Sequence, residues 1–465
     1  LITRALAAHP GAARSFQIHL KPAGDVPARM TWQEGGDEHD PVSGRHYAAT
    51  LAADGVEIGE FHPAQVAEFI DTLHRVVGLP FDTDPSRWFM GAVAVVYFLA
   101  LVSGLILLLP TLAKGFFALR LGQGAKRLWL DAHSVAGIAT LPFHLVIAMT
   151  AVVFAFHDGI YVIQDTLIHE GRMAAQPRPG GAGTRPPAAM LAPADILARV
   201  QALSPTFEPS FLHYRQVDGP RAVVQVFGHD PKAISPRPRG GFVAVDPYSG
   251  RVTSADYLPG RQDTAHTTVA SFFALHFGTY GGTPAKGVYF LLALAGAWLF
   301  YSGNLLWVET RRKSARLHGE APVQRLDTRL MAAATVGVCL GCICGISFTL
   351  AAARWLHGQG AHLGTWHRLI YYAVFFGCIA WAFVRGAARS SADLLWLAAA
   401  STFLIPATTL AAWAIPSLGL GFHASAPALG VDATALAGSL GFAWMASARA
   451  KRVTPGHAGS VWSAT

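Results

Sequence analysis

The sequence predicts a polytopic α-helical membrane protein that carries two small exported α/β domains. Hydrophobic residues make up 52% of the 465 residues and charged residues only 14%, which is too apolar for a soluble protein of this length. In addition, one short unit occurs twice. Asp-Pro-x-Ser-Gly-Arg at 40–45 and at 246–251 is followed by Leu-His at 73–74 and at 275–276, and then by an apolar segment. The repeat indicates a duplicated element that ends beside a membrane helix.

Seven segments are long and apolar enough, at about 17 to 25 residues, to cross a bilayer as helices. They are 89–112, 132–156, 287–308, 330–353, 369–385, 394–415 and 432–448. The segments 369–385 and 432–448 are short, and 394–415 contains Pro406. Neighbouring helices can accommodate a proline within a bundle, so all seven are predicted to span the membrane.

Basic residues orient these helices, because Lys and Arg are retained on the cytoplasmic side of a membrane. Clusters of basic residues occur at 113–131, 309–329, 385–389 and 449–452, whereas 416–432 has none. Residues 1–88 and 157–286 are therefore predicted to lie in the periplasm of a bacterium. A chain that starts outside is expected to have a further spanning helix or signal segment before Leu1. The net charge of +8 follows from this topology, so no nucleic-acid partner is predicted.

Each exported region is predicted to form a small α/β unit. In the first, 1–9 is typical of a helix, 15–20 of a strand and 40–44 of a turn. In the second, 193–200 is typical of a helix, and 221–226 and 241–245 of strands. Residues 174–192, rich in Pro, Gly and Ala, are predicted to be a flexible linker.

These elements predict five regions along the chain. They are a first exported domain at 1–72, membrane helices at 73–156, a linker with a second exported domain at 157–266, a juxtamembrane helix with a membrane helix at 267–312, and a four-helix membrane extension at 313–465. The extension carries Cys339, Cys342, Cys344 and Cys378 within predicted spans. We interpret these as small residues at helix contacts rather than as a metal site.

Histidine is costly inside a bilayer, so a histidine in a spanning segment is a functional candidate. His133 and His144 lie on one predicted helix, about three turns and roughly 16 Å apart along its axis, and share a face unless Pro142 bends the helix. His74 and His276 stand at the outer membrane boundary in the two copies of the repeat. Imidazoles at two depths suit two bis-histidine haems, which leave no open position for oxygen and favour electron transfer.

Structural roles are the alternative for the same histidines. His144 would then be a core residue bonded to a carbonyl of a neighbouring helix, and His74 and His276 would cap juxtamembrane helices. Four other histidines are interpreted as interfacial: His157, His357, His362 and His367.

Two absences in the sequence constrain the electron source and the type of haem. The chain has no strand-associated GxGxxG, P-loop or flavin-binding stretch, so electrons are expected from a separate donor, either a quinol or a cytoplasmic reductase. It also has no Cys-x-x-Cys-His, so any haem is expected to be non-covalent b-type.

The chain resembles the PepSY-associated transmembrane family, which includes iron-regulated membrane proteins and ferrisiderophore reductases. The resemblance covers about residues 1–312 and is carried by the two Asp-Pro-x-Ser-Gly-Arg turns, the two Leu-His elements, and Asp131-Ala132-His133 with Gly137 at a helix start. It implies that the two exported domains are periplasmic and PepSY-like. For the extension at 313–465 we find no matching motif.

The resemblance also implies a function. It suggests a haem-b oxidoreductase of the bacterial inner membrane that reduces a ferric siderophore or another Fe(III) chelate, with His74, His133, His144 and His276 as haem ligands. Two alternatives stay open: a PepSY-type sensor or inhibitor without redox activity, and a transporter of iron, copper or haem.

Overall fold

The structure, a computed structural model, describes most of the chain as two compact units. The described residues are 1–21, 26–35, 44–53, 55–63, 65–80, 87–115, 125–168, 185–233, 236–237, 240–315, 324–356, 363–420, 425–453 and 461. The first unit comprises Leu1–Pro63, Asp84–Ala100 and Phe143–Leu292, and the second comprises Ala64–Thr83, Leu101–Pro142 and Ala293–Thr465.

Ten helices and eight strands make up the described part of the chain, apart from short 3₁₀ turns. In chain order they are α1 (Ile2–Ala8), β1 (Ser15–His19), β2 (Met30–Glu34), β3 (Arg45–Ala52), β4 (Gly55–Phe61), α2 (Val66–Arg75), α3 (Arg87–Gly115), α4 (Ala125–Ile168), α5 (Pro193–Leu203), β5 (Glu208–Arg215), β6 (Val223–His229), β7 (Gly241–Val245), β8 (Val252–Tyr257), α6 (Thr264–Phe277), α7 (Gly282–Ala315), α8 (Leu326–Leu356), α9 (Leu363–Ala414) and α10 (Ala426–Val453).

Six of the described helices, namely α3, α4 and α7 to α10, are long and apolar enough to cross a membrane. The seven predicted segments correspond to these six because two of them, 369–385 and 394–415, fall in α9. This helix is interrupted at Gly386, whose φ of 74° and ψ of 158° are not helical. The chain is a multi-pass membrane protein, as predicted.

The chain turns back on itself at Gly386. Trp381 Nε1 donates to Asp393 Oδ2 over 3.0 Å, whereas residues this far apart in a straight helix would be separated by about 18 Å. The second unit therefore contains two helical segments within α9, 363–385 and 387–414, each long enough to span a bilayer.

The strands of the first unit form a single antiparallel sheet of eight strands, in the order β4-β3-β2-β1-β5-β6-β7-β8. The N-terminal segment, before the first membrane helix, supplies β1 to β4, and the segment between α4 and α7 supplies β5 to β8. They meet where β1 pairs with β5, from Ser15 opposite Arg215 to His19 opposite Phe211. The sequence predicts two separate small units, but the structure joins their strands in one sheet, so two PepSY-like domains are not confirmed.

Alternation of side chains gives the sheet one buried face. Phe16 of β1 stacks on Tyr214 of β5 with ring centroids 4.6 Å apart, and both are almost fully buried. Helix α5 covers this face with Ile196 and Val200, which lie one turn apart on one side of the helix. The predicted helix at 193–200 and the predicted strands at 15–20, 221–226 and 241–245 are thus confirmed.

The second Asp-Pro-Tyr-Ser-Gly-Arg unit forms the turn between β7 and β8. Asp246 Oδ1 accepts hydrogen bonds from the backbone N–H groups of Tyr248 at 2.8 Å and Ser249 at 3.1 Å, and Gly250 adopts a φ of 68°. Burial alone would raise the pKa of Asp246, but these bonds and an ion pair with Arg185 outweigh it and lower the pKa. Of the first unit of the repeat, residues 40–43 lie outside the described residues.

Part of the predicted linker 174–192 is fixed against the sheet domain. Residues 174–184 lie outside the described residues. Beyond them, the Arg185 N–H donates to Asp218 O at 3.0 Å and the Leu191 N–H donates to Pro247 O at 2.8 Å. These bonds place the end of the segment on the turn that follows β7.

The pairing of β1 with β5 can be tested by cross-linking. We expect Gln17→Cys/His213→Cys to form a disulfide under mild oxidation, because the two residues are direct partners in the β1–β5 register and opposed Cβ atoms lie about 4.5–5.5 Å apart. Mass spectrometry of proteolytic peptides detects the bond. Gln225 pairs with His213 from the far side, about 9–10 Å from β1, so Gln17→Cys/Gln225→Cys is the control that should not cross-link. Equal cross-linking of both pairs would contradict the sheet order.

Candidate functional site

Among the described residues, no group of three or more His, Cys, Asp or Glu side chains could hold a metal ion. The candidate histidines therefore lie at separate places in the structure. His144 and His276 belong to the first unit, in α4 and α6, and His133 and His74 belong to the second, in α4 and α2. His133 and His144 lie on either side of Pro142 in one helix. Their shared face stays a prediction.

His276 is held by a hydroxyl group of the neighbouring helix α4. Thr150 Oγ1 lies 2.9 Å from His276 Nδ1 and donates its single proton to the carbonyl of Val146 at 2.8 Å. Thr150 can thus accept a hydrogen bond from His276 in the tautomer whose proton is on Nδ1. The lone pair of this tautomer is on Nε2, as metal ligation through Nε2 requires.

His133 has the same arrangement in the second unit. Ser302 Oγ of α7 lies 2.7 Å from His133 Nδ1 and donates to the carbonyl of Leu299 at 3.2 Å. Ser302 is fully buried, so no water competes for its single proton. In the tautomer whose proton is on Nδ1, His133 donates to Ser302 and its lone pair is on Nε2.

His144 is buried without a hydrogen bond at one ring nitrogen. The residue is 3% exposed, and its Nε2 atom has no partner among the described residues. Phe143 packs edge-on against the imidazole at 5.0 Å and Tyr97 at 6.0 Å between ring centroids. Among the described residues, no carbonyl of another helix accepts a hydrogen bond from His144 Nε2. A buried nitrogen of this kind is costly unless a ligand takes it.

His74 has a different environment from His276, although the repeat predicts equivalent roles. Helix α2 buries Phe69 and Leu73 against Tyr371 of α9, with the rings of Phe69 and Tyr371 5.7 Å apart. His74 lies on the other side of the helix and is exposed. The buried positions of α2 are thus occupied by residues that pack against α9. The role of His74 as a haem ligand stays a prediction.

A family model described as the PepSY-associated TM region matches residues 3–310. The chain belongs to this family. The match confirms the predicted resemblance, and it contains the sheet, helices α1 to α6, most of α7 and all four predicted histidines. Comparisons with curated proteins and with solved structures give no match.

The PepSY-associated TM region ends before α8, but a buried histidine lies beyond it. His367 of α9 is 2% exposed, and neither of its ring nitrogens has a partner among the described residues. Its place beside Trp366 at the start of a helix makes His367 the strongest candidate among the histidines of the extension, but the sequence predicts an interfacial residue, whereas the structure buries it. Leu363, His367 and Tyr371 recur every four residues and are all buried, so helical periodicity was the signal that could have placed it.

Of the other histidines, His157 makes local contacts, and its interfacial role stays a prediction. It lies near the end of α4, where its Nδ1 donates to the carbonyl of Phe154 at 2.8 Å and Nε2 lies 3.2 Å from Asp158. His357 and His362 lie outside the described residues.

A cavity of about 400 Å³ lies along one face of α6 in the PepSY-associated TM region. Hydroxyl groups of α6 line it, from Thr264, Thr267, Thr268 and Ser271. Apolar side chains of Met149, Phe272 and Leu275 and the carboxylate of Asp263 also line it. Hydrogen bonds from the backbone and ring of His266 lower the pKa of Asp263. Met149 and Leu275 directly precede Thr150 and His276, so the cavity borders the hydrogen-bonded pair.

The missing partner of His144 predicts an unusual stability effect. In protein without bound ligand, we expect His144→Leu to leave the free energy of unfolding unchanged or to raise it by about 1–2 kcal/mol, because the variant removes an unsatisfied nitrogen from the interior. Thermal unfolding in detergent measures this. Tyr289→Phe is the control of opposite sign, since it loses the 2.6 Å bond to the Leu275 carbonyl and should cost about 1 kcal/mol. If His144→Leu lowered the free energy of unfolding as much as Tyr289→Phe, His144 would make a structural hydrogen bond.

Proposed function

We propose that this member of the PepSY-associated TM region family is a haem-b oxidoreductase of the bacterial inner membrane, which reduces a ferric siderophore or another Fe(III) chelate at the periplasmic surface. The observation that carries the proposal is the matched pair of hydroxyl groups. Ser302 and Thr150 each accept the Nδ1 proton of a histidine on another helix, and each therefore directs the Nε2 lone pair to a ligand. Haem iron takes a neutral imidazole in this tautomer.

The residues present fit b-type haem in chemistry and environment. His144 supplies a buried Nε2 atom without a partner among the described residues, and His133 and His276 supply oriented ones. Phe154 lies edge-on to His276 at 5.0 Å, and Phe277 lies 5.2 Å from it. Such aromatic groups suit a porphyrin face and exclude water. We keep His74, His133, His144 and His276 as the candidate ligands of two haems.

Haem supplies an iron that exchanges a single electron between Fe(III) and Fe(II). A neutral imidazole that donates from Nδ1 to a hydroxyl group would offer Nε2 to the iron. Helices pack around His144, which is buried, and would keep water from a metal bound there. The electrons come from a separate donor.

The cavity along α6 is the proposed docking place for the ferric chelate. Its volume of about 400 Å³ lies within the usual range of ligand sites, and it borders the His276–Thr150 pair. Reduction to Fe(II) weakens the hold of hard oxygen ligands on the metal, which frees iron for uptake.

An absorption spectrum tests the proposal directly. We expect purified protein from haem-replete cells to show a Soret band and an α-band that sharpens with dithionite, since bis-histidine haem is low-spin. Substitution of His133, His144 or His276 by Ala should each lower the haem content. His229→Ala, at an exposed strand end, is the matched control and should keep the full spectrum.

Two outcomes contradict the proposal at different points. Colourless protein would refute haem binding and would favour a sensor or inhibitor. Unchanged spectra in all three histidine variants would refute the ligand assignment. Ferric siderophores of the hydroxamate and catecholate classes should reoxidise the reduced protein, and inertness toward all of them would refute the substrate.

The hydroxyl partners should act as positioning residues for the ligands. We expect Thr150→Val and Ser302→Ala to lower haem affinity about 10–100-fold, because partners of this kind fix the tautomer and orientation of the ligand. The g-values of the ferric haem should shift as well, which a purely structural role would not cause.

Conservative variants on the same helices separate orientation from packing. Thr150→Ser keeps the hydroxyl and should restore affinity. Thr140→Val removes a buried hydroxyl of α4 that bonds its own helix at Ala136 and should change neither readout. Equal losses from Thr140→Val and Thr150→Val would contradict a positioning role.

A further inference from the structure

Arg237 differs from the other arginines that lie over aromatic rings in the described part of the chain. Its guanidinium carbon lies 4.6 Å from the centre of the Tyr257 ring and 4.5 Å from that of Phe273. Four other arginines lie over one ring each, and each of these also pairs with a carboxylate. The pairs are Arg45 with Glu60, Arg185 with Asp246, Arg311 with Asp327, and Arg385 with Asp393. Among the described residues, no carboxylate pairs with Arg237.

The positive charge of Arg237 is therefore not balanced by the described residues around it. Burial lowers the pKa of Arg237, and the titratable groups that influence this pKa are the hydroxyl groups of Tyr257 and Tyr161, which are neutral at physiological pH. An arginine stays protonated even so. The residue is only half-buried, so a ligand can reach the guanidinium group from the surface. A partly buried cation without a counter-charge favours the binding of an anion.

Two rings from different elements hold the guanidinium group. Tyr257 belongs to β8 of the sheet and Phe273 to α6. The Thr279 hydroxyl donates to the Pro236 carbonyl, which fixes the backbone just before Arg237. The N–H donors of a guanidinium group lie in its plane, and the rings limit its movement out of that plane. The arginine is thus ordered before an anion binds, which lowers the entropic cost of binding.

The same contacts place Arg237 at the end of two predicted membrane spans. Thr279 begins an apolar segment of 33 residues that is long enough to cross a membrane, and Tyr161 lies near the end of another. The rings of Tyr161, Phe277 and Tyr280 are exposed, as is typical of the aromatic belt at the level of the lipid headgroups. Arg237 therefore lies at the depth at which a bilayer presents its phosphate groups.

An anionic phospholipid has the charge and the geometry that this cation lacks. Two oxygen atoms of a phosphate group can accept from the fork of one guanidinium group. The single negative charge of the lipid balances the single positive charge of Arg237. A zwitterionic phospholipid also carries an ammonium group, so it would leave a net positive charge at the same place.

We propose that Arg237 binds the phosphate group of an anionic phospholipid at the membrane boundary. Because Tyr257 belongs to the sheet and Phe273 to α6, the bound lipid holds the last strand of the sheet at the membrane surface. Phe273 also packs on Phe154 at 4.8 Å between ring centroids, and Phe154 packs on His276 at 5.0 Å. The lipid site thus adjoins a candidate haem ligand, but it does not depend on haem and goes beyond the proposed function.

Native mass spectrometry of the full chain, purified in detergent, tests the inference. The protein is titrated with phosphatidylglycerol and with phosphatidylethanolamine of the same acyl chains. We expect the wild type to retain one phosphatidylglycerol at least about tenfold more tightly than phosphatidylethanolamine. Arg237→Gln should lose at least about tenfold in affinity for phosphatidylglycerol, because it removes hydrogen bonds to a charged group.

Arg185→Gln is the matched control. Arg185 also lies over a tyrosine ring in the first unit, but it already pairs with Asp246. Its replacement should therefore leave the affinity for phosphatidylglycerol unchanged, and an equal loss in both variants would contradict a specific role for Arg237.

Further variants separate the charge of Arg237 from its position. Arg237→Lys keeps the charge but not the fork, so its affinity for phosphatidylglycerol should lie between those of the wild type and Arg237→Gln. Tyr257→Phe keeps the ring and should bind as the wild type does, whereas Tyr257→Leu removes one of the two rings and should bind more weakly. Thermal unfolding checks that each variant is folded.

The outcomes distinguish this inference from its rivals and from the proposed function. Equal affinity of the wild type and Arg237→Gln for phosphatidylglycerol overturns it, and so does equal retention of the two lipids. Inorganic phosphate that binds the wild type as tightly as phosphatidylglycerol shows that the site takes a free anion. Loss of haem from Arg237→Gln with unchanged lipid binding also overturns it, because a haem carboxylate then occupies the place. Colourless protein that retains phosphatidylglycerol through Arg237 supports the site and contradicts only the proposed function.

Discussion

A polar atom inside a bilayer needs a partner in the protein, because no water is there to supply one. The described histidines meet this constraint in two ways. Nδ1 of His133 and of His276 each lies within hydrogen-bond distance of a hydroxyl group that also bonds a carbonyl of its own helix. His144 and His367 instead keep ring nitrogens without partners among the described residues. The first arrangement fixes a tautomer, and the second leaves an energetic cost that binding can remove.

The sheet of the first unit depends on one strand pairing. Four strands from each of two separate segments become one sheet because β1 and β5 pair over five residues, and the stacked rings of Phe16 and Tyr214 lie in the core at that junction. Local patterns place most of these strands correctly: β7 occupies the residues that alternation predicts. The junction itself is a contact between segments about 200 residues apart in sequence, which no local pattern encodes, so the sequence predicts two units where one sheet forms.

The sequence identifies the candidate histidines but not the residues that define their chemistry. In the sequence, nothing distinguishes Thr150 and Ser302 from other residues of membrane helices. The structure places their hydroxyl groups opposite an imidazole. The repeat predicts equal roles for His74 and His276, but α2 uses its buried positions for packing against Tyr371 while α6 directs His276 at Thr150. Equivalent positions in a duplicated sequence thus differ because each copy packs against a different partner.

Close packing in the extension prevents His367 from moving toward a hydrogen-bond partner. Gly337, Gly341 and Gly345 let α8 approach α9 so closely that a Cβ atom at any of them would lie within about 3 Å of its neighbours, in keeping with the use of small residues between membrane helices. Tyr371 is fixed by this contact, and His367 lies one turn away on the same buried face. A loosely packed helix could rotate the imidazole outward to find a donor or acceptor near the surface. A helix held this tightly cannot, so both ring nitrogens of His367 stay without partners among the described residues.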